Sequence, residues 1–201
     1  MKTVVNVSAV VLLGGVLYSC GPTLPPSKLA ADYKEPIPEI EANYQQAKSM
    51  LMKAPGAVDD RTIYLLEQIA RQNPTYKKTL TLLGMAYYKR NRYDHASQIL
   101  SRALAVSNKD EIAWLVVGLA KLRLNEDDNG LYNIKGGLTL LDDWLKNRSK
   151  ANPTWDSRGQ VQNEFRRTVI LVDKEGIRGK ERILTSVEAL LWSIDQEEST
   201  H

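Results

Sequence analysis

Cysteine occurs once in 201 residues, at Cys20, and histidine twice, at His95 and His201. A lone cysteine excludes an internal disulfide, so the stability of the folded part must come from packing. Neither a zinc site nor a nucleophile–base set can be assembled from so few Cys and His residues. His95 falls at the start of a helical stretch and reads as a surface residue. No sign of charge dominates either. The 27 basic and 24 acidic residues leave a formal net charge of +3, and the interleaved charges give no argument for nucleic acid. Long apolar runs are missing: residues 4–16 are nearly all apolar but too short to span a bilayer as a helix. What is present is an ordinary globular composition, 43% hydrophobic and 25% charged, with length for one domain and a leader.

The leader has the design of a signal segment: Lys2 as a thin positive region, then the apolar stretch, then Leu17-Tyr18-Ser19-Cys20. An aliphatic residue, a loosely specified one, a small one and then cysteine resemble a bacterial lipobox, with Tyr18 bulkier than is usual in its slot. The resemblance implies a lipoprotein signal peptide over 1–19. It also implies a thioether-linked diacylglycerol on Cys20 and an acyl chain such as palmitate on the freed amine. Two or more chains, at about 0.8 kcal/mol per buried methylene, anchor stably. Gly21, where an aspartate would signal inner-membrane retention, points to the outer membrane, facing the periplasm. The alternatives are an ordinary secretory signal with a chance cysteine, or a short membrane anchor. Residues 20–38 then form a tether containing Pro22, Pro25, Pro26, Pro36 and Pro38. In extended polyproline II it would reach about 50 Å, and a disordered arm is the alternative.

The stretch from Lys77 to Asp110 organises the rest. Leu80-x-x-Leu83-Gly84-x-x-Tyr87 is followed by Ala96-x-x-x-Leu100-x-x-Ala103, two short helices around a turn at Asn91-Arg92-Tyr93-Asp94. Small Gly84 and Ala96 let two helices approach, and the large residues fill the gap between them. Shifted by 34 residues, Leu80 becomes Trp114, Leu83 becomes Val117, Gly84 becomes Gly118 and Leu100 becomes Ile134. This pattern at this period resembles the tetratricopeptide repeat, a helix–turn–helix unit that stacks into a solenoid. The expectation is an all-α, short solenoid of helical hairpins over 39–150, with a C-terminal helical cap over 151–196.

Around the clean unit the pattern loosens. Residues 39–53 and 61–72 read as two helices, with Ala54-Pro55-Gly56 between them and Asn73-Pro74 after them. They form either a degenerate first repeat or an unrelated N-terminal hairpin; Met50 and Thr62 stand in the slots of Gly84 and Ala96. The second helix of the last unit starts near Asp128 and overruns, its Leu131, Ile134, Leu138, Leu141 and Leu145 continuing at spacings of three and four toward a late Pro153. Gly136-Gly137 inside it implies a close neighbour or a bend. The cap pairs a face of Trp155, Val161, Phe165, Val169 and Val172 with one of Ile183, Val187, Leu190, Leu191 and Ile194. A glycine-bearing turn at 175–180 joins them, and a polar outer end runs from Asp195 to His201.

No motif demands catalysis. The acidic run 125–130 lacks the closing glutamate of a calcium loop, and the run 176–180 fits neither a phosphate loop nor a nucleic-acid GxxG motif. No metal, cofactor, nucleic acid or small-molecule substrate is expected, and the chain is not expected to be an enzyme. The family resemblance implies that the first helix of each unit lines an inner face. That places Lys78, Thr81, Met85, Tyr88 and Lys89 of the clean unit there, together with Ile112, Leu115, Leu119, Leu122 and Arg123 of the next. The first set suits an extended peptide or a carboxylate-bearing tail. The second is too apolar to stay in water, so either a partner helix or, preferably, the chain's own C-terminal pair covers it. Lys77, Lys78, Lys89, Arg90 and Arg92 make one unit basic, as a solvated face or a surface for acidic partners. The expected function is a membrane-anchored scaffold or adaptor that holds one envelope protein beside another. The alternatives are a constitutive accessory subunit of a larger membrane complex or an envelope enzyme acting on cell-wall polymer.

Overall fold

The computed structural model of the chain describes residues 38–53 and 58–200. The leader, Cys20 and all of the tether except Pro38 lie outside the described residues. The described residues are helical, without strands, in the order α1 (Pro38–Lys53), α2 (Asp60–Gln72), α3 (Thr79–Lys89), α4 (Tyr93–Val106), α5 (Glu111–Arg123), α6 (Asp127–Ala151), α7 (Gln160–Glu175), a 3-10 turn (Gly176–Gly179) and α8 (Lys180–Thr200). They pair as hairpins α1–α2, α3–α4, α5–α6 and α7–α8, each leaning on the next around one continuous apolar core.

The 34-residue period is written into the backbone. At the tip of the α3–α4 hairpin the Arg92 N–H donates to the Tyr87 carbonyl at 2.9 Å, and at the tip of α5–α6 the Glu126 N–H donates to the Lys121 carbonyl at 2.9 Å. Asn91 and Asn125 stand at the same point of the two turns in the left-handed region, with φ of 56° and 62°. Asparagine tolerates that conformation better than other non-glycine residues do. The seams repeat as well. A Cβ on Gly84 would collide with the Leu100 side chain, and one on Gly118 would lie 2.6 Å from Cγ1 of Ile134. Glycine is thus required where α3 meets α4 and where α5 meets α6.

The first hairpin shares this register in its closing turn. The Asn73 N–H donates to the Ile69 carbonyl at 2.8 Å and the Ser107 N–H to the Ala103 carbonyl at 2.9 Å, one period apart. Leu66, one period before Leu100, is fully buried, as is Thr62 in the slot of Ala96. Asp59 caps α2 by accepting from the Thr62 N–H at 2.8 Å. The α1–α2 pair is therefore a repeat-like unit at its second helix.

The α6 helix runs for 25 residues and carries the solenoid into the cap. Its double glycine resolves as close approach. Gly137 faces Leu115, whose Cδ2 and backbone N would lie 2.8 and 2.9 Å from a Cβ, whereas the nearest atoms to a Cβ on Gly136 are those of the Trp114 ring, at 3.3 Å and beyond. The helix ends in an Asn152-Pro153-Thr154 turn in which the Thr154 N–H donates to Asn152 Oδ1 at 3.2 Å. Asn73-Pro74-Thr75 makes the same bond at 3.1 Å. An aromatic residue follows each turn. Tyr76 packs edge-on against Tyr44, and Trp155 edge-on against Trp144. Trp155 accordingly sits in the turn before α7 and not on that helix's face as expected from its spacing. Asp156 then starts α7, its carboxylate accepting from the N–H groups of Val161 and Gln162 at 2.9 Å each. The cap closes on itself through buried Thr168 and Ser186, whose hydroxyls lie 2.7 Å apart.

Candidate functional site

The α8 helix lies across the inner side of α3 and α5, and a cavity of about 500 Å³ remains where the three meet. That volume is in the range of binding pockets. Five of the expected inner-face residues line it: Met85, Tyr88 and Lys89 from α3, and Leu119 and Arg123 from α5. From α8 come Glu188, Leu191, Trp192 and Asp195, spaced to share one helical face. Val116 adds to the apolar floor, and Trp192, 40% exposed, stands at the rim.

The polar groups of this groove are tied into the fold. The Tyr88 hydroxyl donates to Glu188 at 2.5 Å, and Arg123 Nη2 pairs with the same carboxylate at 3.3 Å. Burial, reinforced by the bond to Glu188, pushes the Tyr88 phenol well above its ordinary value. A second arm of Arg123 reaches Glu181 at 3.7 Å. Lys89 Nζ donates to the Leu51 carbonyl at 3.1 Å, in the last turn of α1, and burial lowers its pKa. Asp195 is the exception among the described residues. Its carboxylate has no hydrogen bond and no ion pair there, and burial raises its pKa to about 6 against the pull of Lys89 and Lys48.

The remaining expected residues lie elsewhere. Lys78 and Thr81 border a separate cavity of about 380 Å³ with Asp110 and Glu111. There Lys78 bridges Asp110 at 3.4 Å and Glu111 at 2.9 Å, and the Thr81 hydroxyl donates to Asp110 at 2.7 Å. Asp110 also caps α5, accepting from the Ala113 N–H at 3.1 Å. Leu115 and Leu122 face neither cavity. They are buried inside their own hairpin, against Gly137 and Gly130. Ile112 is half-buried outside both cavities. The apolar face of the second unit is thus covered from two sides, by α6 at Leu115 and Leu122 and by α8 at Leu119.

The basic group of the clean unit does not form one patch. Lys77 reaches Glu41 at 2.6 Å, Arg90 holds the Val58 carbonyl and Asp60 at 2.9 Å each, and Arg92 lies over the Tyr87 ring at 5.1 Å. Each cation is spent on a neighbouring element. His95 is exposed beside Tyr87. Among the described residues no cluster of three or more His, Cys, Asp or Glu could hold a metal, and no helix is long and apolar enough to cross a membrane.

Sequence reasoning missed Val116, Glu188, Trp192 and Asp195. Glu188 and Asp195 carry a faint signal, being acids at one-turn multiples on a helix otherwise apolar toward the core. Asp195 in particular belongs to the groove and not to a polar outer end of the cap.

An array of glycine-seamed helical hairpins with a groove along its inner side defines a helical-repeat scaffold, a type of fold that is typically non-catalytic and binds proteins. The tetratricopeptide repeat model matches residues 41–122, from the first turn of α1 to the end of α5. The architecture is accordingly an all-α, tetratricopeptide-like solenoid. Neither the curated proteins nor the solved structures yield a match to the chain.

Proposed function

We propose that this protein is a lipid-anchored adaptor or assembly factor of a bacterial cell envelope, without a catalytic role. Cys20 carries the anchor, on the outer membrane facing the periplasm, and the tether sets the reach of the solenoid. The observation that carries the adaptor reading is the groove at α3, α5 and α8. It has an apolar floor of Met85, Val116 and Leu119, an exposed Trp192 at its rim, and Lys89, Arg123 and Glu188 held in place by the fold. A preformed surface of this kind binds without an ordering cost, and a tether raises the local concentration of what it binds.

A second reading, a permanent subunit of a larger membrane complex, is favoured by one feature. The α7–α8 pair leaves an open cleft of about 740 Å³ around Leu171, Ala189 and exposed Ile170. Unfilled apolar surface at the end of a solenoid is where a fixed neighbour would pack.

Pull-down of the tagged, lipidated protein from gently solubilised envelope, beside Cys20→Ala and Trp192→Ala forms, separates the two. Partners lost on a salt wash or with Trp192→Ala support the adaptor. A fixed-ratio set that survives both supports the permanent subunit. No partner with any form refutes both.

A further inference from the structure

The groove's ionisable groups indicate what it selects, and this inference rests on the adaptor reading above. Four charged side chains line it, and three of them are bonded among the described residues, Arg123 through its two terminal nitrogens while its buried Nε has no partner. Arg123 pairs with Glu188 and Glu181, Glu188 also accepts from Tyr88, and Lys89 is bound to the carbonyl of Leu51. That carbonyl lies at the C-terminal end of α1, where the helix dipole also favours a cation, so the charge of Lys89 is answered by the backbone.

Asp195 has no hydrogen bond and no ion pair among the described residues. From α3 and α1, Lys89 and Lys48 act on it without bonding it, and Glu198 on α8 opposes them. A desolvated carboxylate without donors is costly to keep, and here it sits in the wall of a groove that is open to a ligand. Beside it on α8 are Leu191 and Trp192, and across from it are Met85, Val116 and Leu119. An acceptor-only group next to an indole face and an apolar floor calls for a cation flanked by aliphatic bulk.

We propose that the groove recognises a protein segment in which a lysine or arginine stands next to a large apolar residue. Asp195 and Trp192 receive the cation, and the Met85, Val116 and Leu119 floor takes the apolar side chain. This reverses the polarity expected from the sequence, in which two lysines receive a carboxylate. Lys78 and Lys89 do not converge: Lys78 is at the other cavity, engaged by Asp110 and Glu111.

The test uses the full chain in detergent micelles and three labelled, end-blocked peptides, Ser-Leu-Xaa-Leu-Ser-Gly with arginine, glutamine or glutamate at the third place. Binding is read by fluorescence polarisation. At pH 7.5 the arginine peptide should bind at least about tenfold more tightly than the glutamine peptide, the scale of a charge-assisted bond, with the glutamate peptide weakest. The arginine preference should fall away at pH 5, where Asp195 takes up its proton, and in Asp195→Asn at both pH values. Asp195→Glu should retain it. Circular dichroism establishes that the variants are folded. Tighter binding of the glutamate peptide, or an arginine preference that survives Asp195→Asn, overturns the proposal. Equal binding of all three, abolished by Trp192→Ala, also overturns it while leaving the adaptor reading intact. If none binds, the groove is not a peptide site, and the envelope pull-down judges the adaptor reading separately.

Discussion

Gly118→Ala puts one methyl group into a seam where two helix backbones meet. Its Cβ would lie 2.6 Å from Cγ1 of Ile134, 2.9 Å from the Gly130 carbonyl oxygen and 2.9 Å from the Ile134 backbone nitrogen. A side chain can rotate out of the way, but two of these three atoms are backbone of α6. Relief therefore requires the helices to separate by about 0.5 Å, which loosens the Leu122–Gly130 and Leu115–Gly137 contacts along the same seam. Overpacking of this kind costs about 1–3 kcal/mol, here toward the upper end, and alanine's helix propensity returns about 1 kcal/mol. The net loss should be about 2 kcal/mol, a fall in Tm of roughly 4–8 °C for a domain of this length. Urea and thermal melts followed by far-UV circular dichroism measure it. Gly136→Ala is the internal control: the nearest atoms to its Cβ belong to the half-buried Trp114 ring, at 3.3 Å, with no backbone among them, so the propensity gain should dominate and raise Tm by about 1–2 °C. A Gly118→Ala protein as stable as the parent would refute the account of α5 and α6 as helices in backbone contact.

Three further outcomes are expected. Asp195→Asn should be more stable than the parent at pH 7.5 by about 1 kcal/mol, a value kept small because the carboxyl group borders an open groove. The folded pKa of Asp195 is raised to about 6, so its contribution to stability is complete below its unfolded value near 3.8 and is lost as pH rises through 6. Melts from pH 3.5 to 7.5 should therefore show the variant gaining on the parent as pH increases; a constant difference would count against the buried setting of Asp195. Asp110→Ala should cost about 2–4 kcal/mol by removing the cap of α5 and stranding the buried Thr81 hydroxyl, while Asp110→Asn should recover part of it; denaturant midpoints decide. Leu119→Ala, at a fully buried position on the groove floor, should cost about 2–5 kcal/mol, and a loss under 1 kcal/mol would mean that α8 does not seat there.

The hairpins were legible because the glycine and the residue it faces are fixed by the period. Gly84 predicts Gly118, Leu100 predicts Ile134, and the structure sets Gly84 against Leu100 and Gly118 against Ile134. The overrun of α6 was legible in its apolar spacing. The groove was only half so. Placing Leu115 and Leu122 on the inner face assumed that every large residue of a first helix points inward, yet both turn toward glycines of α6 within their own hairpin. The contribution of α8 was hidden for a different reason. Helical spacing identifies a face but not the angle at which a cap docks, so nothing local brings Glu188 beside Tyr88, 100 residues earlier. The repeated Asn-Pro-Thr-aromatic stop at residues 73–76 and 152–155 was readable, but its two copies are not separated by a multiple of 34 residues and a search at that period passes over it.

The contact between Tyr88 and Glu188 has a consequence for how such a chain can grow. The groove takes α3 from one unit, α5 from the next and α8 from the cap, so it exists only while these two units are adjacent and the cap follows the second directly. An extra 34-residue unit inserted after Asp110 would leave every hairpin able to fold but carry α8 away from Tyr88 and Lys89, erasing the groove. The same unit added ahead of α1 would leave the groove whole. Repeat number at the C-terminal side therefore decides whether this groove exists, and repeat number at the N-terminal side does not.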